Sequence, residues 1–469
     1  MKTGFAKIDI TPPLGSPLCG QLVALEATGV ESPLYASAMC IDDGKRKLAF
    51  VSCDLLLIPN SLAKEIAAEK LVDEVIVAAT HTHSGPATVE VFGGGASNQY
   101  LAKLKNGILD AIKNAIDNLE ESIIKFNRDE LKGLAFNRRF IMDDDTIETH
   151  PLKDDPRLVR PEGPDSDALS TIWAETPAGK ILGGMVVFGC HATVMERDNT
   201  LISADFPGKA IACLEHKYNV PFLFMQSACG NICQVNTGDN SQSETGVKWT
   251  GKMGRTIADK VGGMLASGIS LPPSGLNIIT RTIHLPRRKV PAELADWAER
   301  HINVNADTPA LSDYGSEVYN CLPPEKVSLE DLFKTSFWAN FYANEIRTRQ
   351  YDYQCQPEMP FTIKIIGIGN LAIVTLPCEL FIEWQNKIIE NSPFADTLVI
   401  ELANGWNGYI PTLEAFKRSG GYETKEVTST MLVPEAGDMI FATIVSIMEI
   451  LKTTQGGLNN SMIGEDRLS

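Results

Sequence analysis

The sequence predicts an α/β protein whose core is a mixed, largely parallel sheet with flanking helices and an inserted helical segment. Two observations carry this prediction. Short apolar runs rich in β-branched residues alternate with longer stretches in which apolar residues recur at helical spacing. The first strand–helix–strand series, which ends at EVIVAA (74–79), is typical of a βαβ unit with parallel strands.

The elements of the N-terminal part follow from local patterns. Segments 3–10, 35–41 and 47–58 are apolar runs of strand type. Asn60 is expected to cap a helix over SLAKEIAAEKL, and 74–79 is the next strand. The stretch NQYLAKLKNGILDAIKNAIDNL then has the apolar spacing of a long helix.

The rest of the chain continues this mixture, and no internal repeat is evident in its residues. We predict a surface loop at 141–166, because this stretch is acidic, contains proline and lacks periodicity. The further predicted elements are strands at 168–174 and 181–188, a helix near 206–217, a strand in PFLFMQ, a helix at 246–267, a hairpin over 361–376 that turns at Gly369–Asn370, a helix from 379 to about 391, and the strand DTLVIEL. We expect one domain over residues 1–455, with an insertion at about 290–355, and a polar tail over 456–469.

Composition narrows the class of partner. The chain has 469 residues, 44% of them apolar, and a formal net charge of −17. An acidic protein repels phosphate backbones and anionic lipid surfaces, so we expect a small-molecule substrate rather than nucleic acid or a membrane. The N-terminus lacks the apolar core of a signal peptide, and no stretch is long enough to span a bilayer, which predicts a cytoplasmic location.

Three of the seven histidines stand where an apolar run ends, and they are the first candidates for a site. His81 and His83 lie in AATHTHSGPA, and His191 follows VVFGC. On a regular strand, residues two apart face the same side, so His81 and His83 can form a pair. Loops that leave the carboxyl ends of strands form the binding crevice of α/β proteins, where these side chains would meet. Ordinary polar strand ends, and a core histidine bonded to a carbonyl, are the structural alternatives.

Other candidates share this placement after a strand. Glu379 in TLPCEL precedes a predicted helix, whose N-terminus favours a carboxylate, and Tyr409 lies in the glycine-rich loop NGWNGYIPT. Arg138 in AFNRRF either recognises an anion or is ordinary solvated charge. Asn231 follows Gly230 in a turn after a strand. Each of these residues has a purely structural explanation when it is taken alone.

Taken together, the motifs resemble the neutral ceramidase family in its broad sense, that of neutral/alkaline non-lysosomal ceramidase catalytic domains. They run in the family's order from residue 3 to about residue 423. The matching motifs are GFAKIDITPPLG, FVSCDLL, THTHSGP, AFNRR, CHATVM with SADFPGKA, LPCEL, and NGWNGYIPT with GGYE. THTHSGP alone is a weak signal, whereas the ordered series is a strong one.

The resemblance implies a zinc site and the hydrolysis of a linear amide (N-acyl) bond by zinc-activated water. The implied metal ligands are His81, His191, Glu379 and Tyr409. His83 would not bind the metal. With Arg138 it would face the scissile carbonyl, where it would stabilise the oxyanion or move a proton. The alternative for His83 is that it orients a metal ligand.

Some positions depart from the family pattern. The family's Gly-Asp-x-Ser-Pro-Asn element stands here as GNICQVN, with Cys233 in place of a serine that is often assigned as a nucleophile. A cysteine can attack a carbonyl, but no base is identifiable beside Cys233, and a buried structural thiol is the other interpretation. Trp406 stands where the family often has a tyrosine, and Cys378 replaces a glycine.

The substrate is the least defined part of the resemblance. We expect no C-terminal immunoglobulin-like domain of the kind that extracellular members have. The insertion contains aromatic residues that either wall a pocket or form ordinary core, namely Trp297, Tyr314, Tyr319, Trp338 and Tyr342. We therefore expect a polar or sugar-like substrate rather than ceramide. Alternatives to amide hydrolysis are an ester or lactone hydrolase, a lyase or isomerase of a sugar-derived substrate, and a catalytically silent binding protein.

Overall fold

Three mixed sheets organise the chain, and each is built from one β-β-β-α-β-α unit. The computed structural model describes residues 1–20, 25–89, 95–196, 198–272, 275–302 and 336–465, without the side chains of 336–338 and 455–465. In every unit, three strands form an antiparallel meander, and a helix then crosses over to a fourth strand that is parallel to the third. A second helix closes the unit and contacts its first strand.

Unit 1 spans residues 2–117. Its elements are β1 (Lys2–Asp9), β2 (Tyr35–Asp42), β3 (Lys47–Cys53), α1 (Asn60–Ala68), β4 (Glu74–Ala79) and α2 (Asn98–Asp117). The predicted βαβ unit is confirmed, because β3 and β4 are parallel and α1 connects them. The predicted cap is wrong. The side chain of Asn60 makes no cap hydrogen bond and instead accepts from Trp406 N at 2.7 Å.

Unit 2 spans residues 123–264. Its elements are β5 (Ile123–Glu130), β6 (Ala168–Glu175), β7 (Ile181–Phe188), α3 (Asp205–Tyr218), β8 (Phe222–Gln226) and α4 (Gly246–Met264). The connection between β5 and β6 holds a small antiparallel sheet, formed by Arg139–Met142, Ile147–Thr149 and Leu158–Pro161. The loop predicted at 141–166 is therefore partly wrong, because backbone pairing orders this polar stretch without hydrophobic periodicity.

Unit 3 spans residues 276–465. Its elements are β9 (Leu276–Pro286), α5 (Ala292–His301), α6 (Ser336–Cys355), β10 (Glu358–Ile368), β11 (Leu371–Thr375), α7 (Ile382–Glu390), β12 (Asp396–Ile400) and α8 (Ala436–Glu465). The predicted hairpin is confirmed, with the turn at Gly369, whose φ of 58° suits glycine. Helices α5 and α6 form the insertion between β9 and β10.

Short pairs complete the strand content. They are Pro17–Leu18 with Leu25–Glu26, Gly29–Val30 with Leu201–Ile202, Phe136–Asn137 with Ile232–Cys233, Glu379–Leu380 with Tyr409–Ile410, and two edge strands, Glu120–Glu121 and Ile269–Ser270. Two 3-10 turns lie at Ala415–Lys417 and Tyr422–Thr424. Among the described residues, no helix has the length and apolar character that crossing a bilayer requires.

The predicted largely parallel core is wrong, because each main sheet has a single parallel pair beside its antiparallel strands. The apolar runs are nevertheless real, since the central strands are buried on both faces. One core cluster joins the inner faces of the three sheets, through residues such as Phe50, Met185 and Ile373. The next residue along each strand faces the helices instead, and these residues are Val51, Val186 and Val374. Runs of this kind resemble parallel strands although most of the pairing is antiparallel.

The insertion has a small core of its own. Trp297 and Tyr342 are buried between α5 and α6, so these two aromatic residues pack within the insertion. Tyr314 and Tyr319, and the side chain of Trp338, lie outside the described residues.

The topology brings particular chain segments to one edge of each sheet. The first, third and fourth strands of a unit run in the same direction, so their carboxyl ends lie together. The fourth strands of the three units also meet. Ala79 N donates to Leu402 O at 3.3 Å, and Glu401 N donates to Gln226 O at 3.0 Å. Residues that follow these strands therefore gather at a junction of the three units.

Candidate metal centre

The candidate ligands all follow strands that end at this junction. His81 and His83 follow β4, His191 follows β7, Glu379 follows β11 and Tyr409 follows β12. One ring nitrogen from each of the three histidines lies within 4.8 Å of the other two. His81 and His191 are buried, whereas His83 is half-buried. The structure thus confirms that the three histidines meet.

The backbone at His81 differs from the regular strand on which we based the pairing of His81 with His83. Strand β4 ends at Ala79, and His81 has a φ of 66°, in the left-handed region that residues other than glycine rarely occupy. Its N–H donates to Leu55 O at 2.9 Å. Such conformations cost about 1–3 kcal/mol and concentrate at functional sites. The two imidazoles therefore converge because of this turn, and not because they share one face of a regular strand.

Backbone carbonyls fix the tautomer of each imidazole. The Nδ1 atoms face Leu56 O for His81 (3.0 Å), Gly20 O for His83 (2.8 Å) and Cys229 O for His191 (2.6 Å). A carbonyl oxygen only accepts, so each Nδ1 carries a proton, and in the neutral form of each ring the lone pair is on Nε2. Metal-bound histidines are oriented in this way by their second nitrogen.

Two of these lone pairs face a carboxylate oxygen. Glu379 Oε2 lies 3.3 Å from His81 Nε2 and 3.2 Å from His191 Nε2. All three atoms are buried and have no hydrogen-bond partner among the described residues. When both rings are neutral, these atoms are three acceptors, which repel one another unless a cation lies among them. Ligand atoms about 2.0–2.1 Å from a tetrahedral zinc are themselves about 3.3 Å apart, so the spacing suits that ion.

The charge states of these groups also suit a metal. Burial, with Arg138 and His81 nearby, holds the pKa of His191 well below its ordinary value. Burial lowers the pKa of His83 to about 3. Although burial opposes ionisation of Glu379, the facing imidazoles hold the pKa of this carboxyl well below its usual range. His83 and His191 are therefore held in the neutral form and Glu379 in the ionised form, and these are the forms that bind metals.

Tyr409 is paired with Glu379 through the backbone. The two residues are opposite each other in a short parallel pair, which presents their side chains on the same face. Burial, and then the charge of Glu379, raise the pKa of the Tyr409 phenol well above its ordinary value. Tyr409 therefore keeps its proton unless a nearby cation favours the phenolate. The prediction that a helix begins at Glu379 is wrong, because α7 begins at Ile382.

Arg138 is buried and paired, so it is not solvated surface charge. Its Nε donates to Glu423 at 3.0 Å, and its Nη2 donates to Gly230 O at 2.7 Å and to the Tyr409 hydroxyl at 3.2 Å. Arg138 therefore holds Tyr409 in place. A direct contact between Arg138 and a substrate stays a prediction.

Asn231 and Cys233 bond to their own neighbourhood. Asn231 Oδ1 accepts from Ile382 N at 2.9 Å, and its Nδ2 donates to Glu383 at 2.9 Å, so this amide attaches the turn to α7. Cys233 Sγ lies 3.9 Å from Val235 O, and burial raises the pKa of its thiol to about 11. None of the described bonds of these side chains reaches the histidines or Glu379. A catalytic role for either residue stays a prediction.

Two buried side chains that the sequence did not single out connect the ligand segments. Gln226 Nε2 donates to Thr80 O at 2.9 Å and to Cys190 O at 2.7 Å, which fixes the residues before His81 and His191. Glu401 accepts from Leu380 N at 2.6 Å and from Cys229 N at 3.2 Å. Both lie at strand ends, but only the fold shows which segments they join.

The sequence also did not indicate the contact made by Trp406, which stands where the family often has a tyrosine. Trp406 Nε1 donates to Glu379 Oε1 at 2.8 Å. Glu423, which lies in the GGYE motif, binds both Arg138 and Arg139. The sequence marks both positions through these motifs, although not their partners.

Comparison with known proteins supports the resemblance. A family model described as "Neutral/alkaline non-lysosomal ceramidase, N-terminal" matches residues 1–258. The neutral ceramidase of Drosophila melanogaster is 25% identical over 266 residues, which cover 53% of this chain and 37% of that protein. The neutral ceramidase of Pseudomonas aeruginosa is 27% identical over 251 residues, which cover 49% of this chain and 36% of that protein. The matched segments thus span little more than a third of these curated relatives.

Solved structures resemble a larger part of the chain. The crystal structure of neutral ceramidase from Pseudomonas aeruginosa matches with a TM-score of 0.67 at 19% identity, over 95% of this chain and 73% of that chain. A structure described as "Ceramidase complexed with C2" matches with a TM-score of 0.68 at 18% identity, over 97% of this chain and 75% of that chain. The likeness shows a shared fold that extends beyond residue 258.

These relatives overturn one expectation. A polar or sugar-like substrate was predicted from the aromatic content of the insertion and from the expected lack of a further domain. That prediction is wrong, because the relatives are ceramidases and one was solved as a ceramidase complexed with C2. The two described aromatic residues of the insertion, Trp297 and Tyr342, form its core.

Proposed function

The chain belongs to the neutral/alkaline non-lysosomal ceramidase family, and from that membership we propose that it is a zinc-dependent amidohydrolase. One observation carries the proposal to this chain's own residues. The two imidazole nitrogens and one carboxylate oxygen at the junction of the three units are buried acceptors that face one another. A cation satisfies this arrangement, and a nitrogen–oxygen ligand set suits zinc.

The proposed substrate is an N-acylated long-chain amino alcohol of the ceramide class, because the relatives are neutral ceramidases. The bond cleaved is the linear amide that joins the acyl chain to the amine. Water adds its oxygen to the carbonyl carbon, the C–N bond breaks, and the amine leaves with a proton that the water supplied. A cytoplasmic location and the division into one domain with an insertion stay predictions.

The residues that would hold zinc are His81, His191 and Glu379, with Tyr409 as the fourth ligand. When bound, zinc polarises a carbonyl oxygen and lowers the pKa of a water to about 7. Backbone carbonyls orient both imidazoles, and burial keeps His191 neutral. Arg138 holds the phenol oxygen of Tyr409 beside this set.

His83 is proposed to move a proton. Nδ1 of His83 donates its proton to Gly20 O. Because the lowered pKa keeps the ring neutral, Nε2 has a lone pair. A lone pair accepts a proton from the attacking water, and the resulting imidazolium returns it to the departing amine. Of the two roles that the family pattern implied, proton acceptance therefore suits this tautomer better than donation to an oxyanion, and it requires that substrate or metal binding raise the pKa of His83 toward neutrality. His83 is also the most exposed of the three histidines.

We expect His83→Ala to keep its zinc and to lose rate. The loss in kcat should be about 100- to 10,000-fold, the range that a positioned proton acceptor contributes. Zinc content by elemental analysis and steady-state kinetics with an N-acyl substrate measure the two quantities in one preparation. Should zinc content fall as it does in His81→Ala, His83 is a third imidazole ligand and its proposed role is wrong.

Cys233→Ala is expected to keep kcat and KM within about threefold of the unmodified protein. A thiol whose pKa is raised to about 11 is almost entirely protonated at neutral pH, and the thiolate is the nucleophile. Steady-state kinetics test this expectation. A loss of several orders of magnitude, together with a covalent acyl adduct on Cys233 by mass spectrometry, would contradict attack by water.

A substrate panel tests the proposed function itself. Purified protein would be assayed with N-acyl amino alcohols of short and long chain, with esters and with lactones, each before and after treatment with a chelator. We expect amide hydrolysis that the chelator abolishes and that added zinc restores. Hydrolysis of lactones with none of amides would overturn the amidohydrolase assignment, and activity that resists complete zinc removal would overturn the zinc dependence.

A further inference from the structure

The two oxygens of Glu379 have different environments. Oε2 faces the imidazole nitrogens of His81 and His191, whereas Oε1 accepts a hydrogen bond from Trp406 Nε1 at 2.8 Å. The carboxylate itself is buried, so water does not compete freely for either oxygen. The indole N–H therefore distinguishes the two oxygens.

We propose that Trp406 is the positioning residue that sets the orientation of Glu379 and presents Oε2 alone to the metal. This inference rests on the proposed function. The last torsion of a glutamate is broad and roughly two-fold, so an unrestrained carboxylate samples many orientations. One fixed donor at Oε1 removes that freedom before zinc arrives. Trp406 acts through Glu379 and has no described contact with the histidines.

The donor is suited to this role by its chemistry. An indole nitrogen only donates, carries no charge and does not titrate in the working range of pH. A tyrosine, which the family often has at this position, also offers a donor, but its oxygen can accept or ionise. With Trp406 in place, Tyr409 is the one described side chain of the NGWNGY loop that has a phenol oxygen to offer a cation.

Contacts from another unit hold Trp406 in place. Its backbone N–H donates to Asn60 Oδ1 at 2.7 Å, and Asn60 Nδ2 donates to Asn407 Oδ1 at 3.1 Å. Gly405 has a φ of 140°, and a side chain there would collide with the Asn60 amide. The ring also packs against the core of unit 1. Asn60 therefore gives its side chain to this loop rather than to a cap of α1, and unit 1 determines where a donor from unit 3 stands.

The test compares zinc affinity in two tryptophan variants. Trp406→Phe keeps an aromatic ring and removes the N–H. Trp249→Phe is the matched control, because Trp249 Nε1 in α4 has no hydrogen-bond partner among the described residues. We expect metal-free Trp406→Phe to bind zinc about 10- to 100-fold more weakly in a competition titration against a chromophoric chelator. The control should stay within about twofold.

A second variant and a second readout separate positioning from general damage. Trp406→Tyr, which restores a donor, should recover at least part of the affinity. At saturating zinc, Trp406→Phe should have a reduced kcat with KM within about twofold, since Glu379 binds metal rather than substrate. A zinc affinity of Trp406→Phe equal to that of the control overturns the inference while wild-type zinc binding, and with it the proposed function, stands. Wild-type protein that binds no zinc overturns both.

Discussion

His81→Ala is expected to bind zinc at least about 100-fold more weakly than the unmodified protein and to lose all amide hydrolysis above background. Four-ligand zinc sites in small domains gather roughly 10–16 kcal/mol of binding free energy, so one ligand accounts for several kcal/mol. Nε2 of His81 also lies 3.3 Å from Glu379 Oε2, and in the proposed site these two atoms would share one cation.

Zinc competition titrations of the metal-free proteins measure this effect directly. His216→Ala is the control, because His216 lies exposed in the last turn of α3. The control should bind zinc as the unmodified protein does. A His81→Ala protein that keeps both zinc affinity and activity would contradict the assignment of His81 as a ligand, whereas lost activity with retained zinc would give His81 the role proposed for His83.

Glu423→Gln is expected to lower the free energy of unfolding by about 3–5 kcal/mol, the cost of breaking a buried ion pair on one side. The Glu423 carboxylate is fully buried and accepts from Arg138 at 3.0 Å, from Arg139 at 2.6 Å and from Thr149 at 2.9 Å. A neutral amide in this place leaves two buried guanidinium groups with less compensating charge. Because Arg138 also holds Tyr409, catalytic rate should fall in the same variant.

Denaturant unfolding at several pH values tests how the stabilisation by Glu423 depends on pH. Burial opposes ionisation of Glu423, but Arg139 and Arg138 overcome it and lower its pKa. A carboxyl with a lowered pKa contributes stability above the ordinary value of about 4.3 and loses it as the pH falls below that value. The difference between wild type and Glu423→Gln should therefore be largest at neutral pH and shrink in acid.

Glu414→Gln is the control for this stability measurement. Glu414 is an exposed residue that pairs with Lys417, and the loss of such surface pairs usually costs less than about 1 kcal/mol. A Glu423→Gln protein as stable as this control would show that the arginine pair does not depend on the carboxylate.

The sequence predicts that the candidate side chains lie close together better than it predicts how they are arranged. His81, His83, His191, Glu379 and Tyr409 all follow apolar strands in the sequence, and residues of this kind meet where parallel strands end. The sequence could not show how they meet. The left-handed backbone of His81 and the carbonyl that fixes each imidazole depend on chain segments far apart in sequence.

The sheet pairing was less predictable, for a physical reason. Strands buried on both faces have continuous apolar runs whether their neighbours are parallel or antiparallel, as Phe50 and Val51 of β3 illustrate. The three-unit organisation was hidden for a related reason. The long segments after β1, β5 and β9 differ in length and content, so equivalent strands do not recur at a fixed spacing in the sequence.

Residues that act through others were the least predictable. Gln226, Glu401 and Trp406 bond to residues of other segments or units, and no local sequence pattern marks a glutamine, a glutamate or a tryptophan for such a contact. In the sequence, Trp406 stands out only as a departure from a family pattern. Its partner became visible once unit 1 and unit 3 were placed beside each other.

X-ray diffraction at the zinc absorption edge, on crystals of the unmodified protein grown with zinc, would show directly whether zinc binds at the junction of the three units. We expect one strong anomalous peak bounded by His81 Nε2, His191 Nε2 and Glu379 Oε2, with Tyr409 as the fourth neighbour and Trp406 still bonded to Glu379 Oε1. A peak bound by other residues, or no peak at this junction in zinc-saturated crystals, would contradict it.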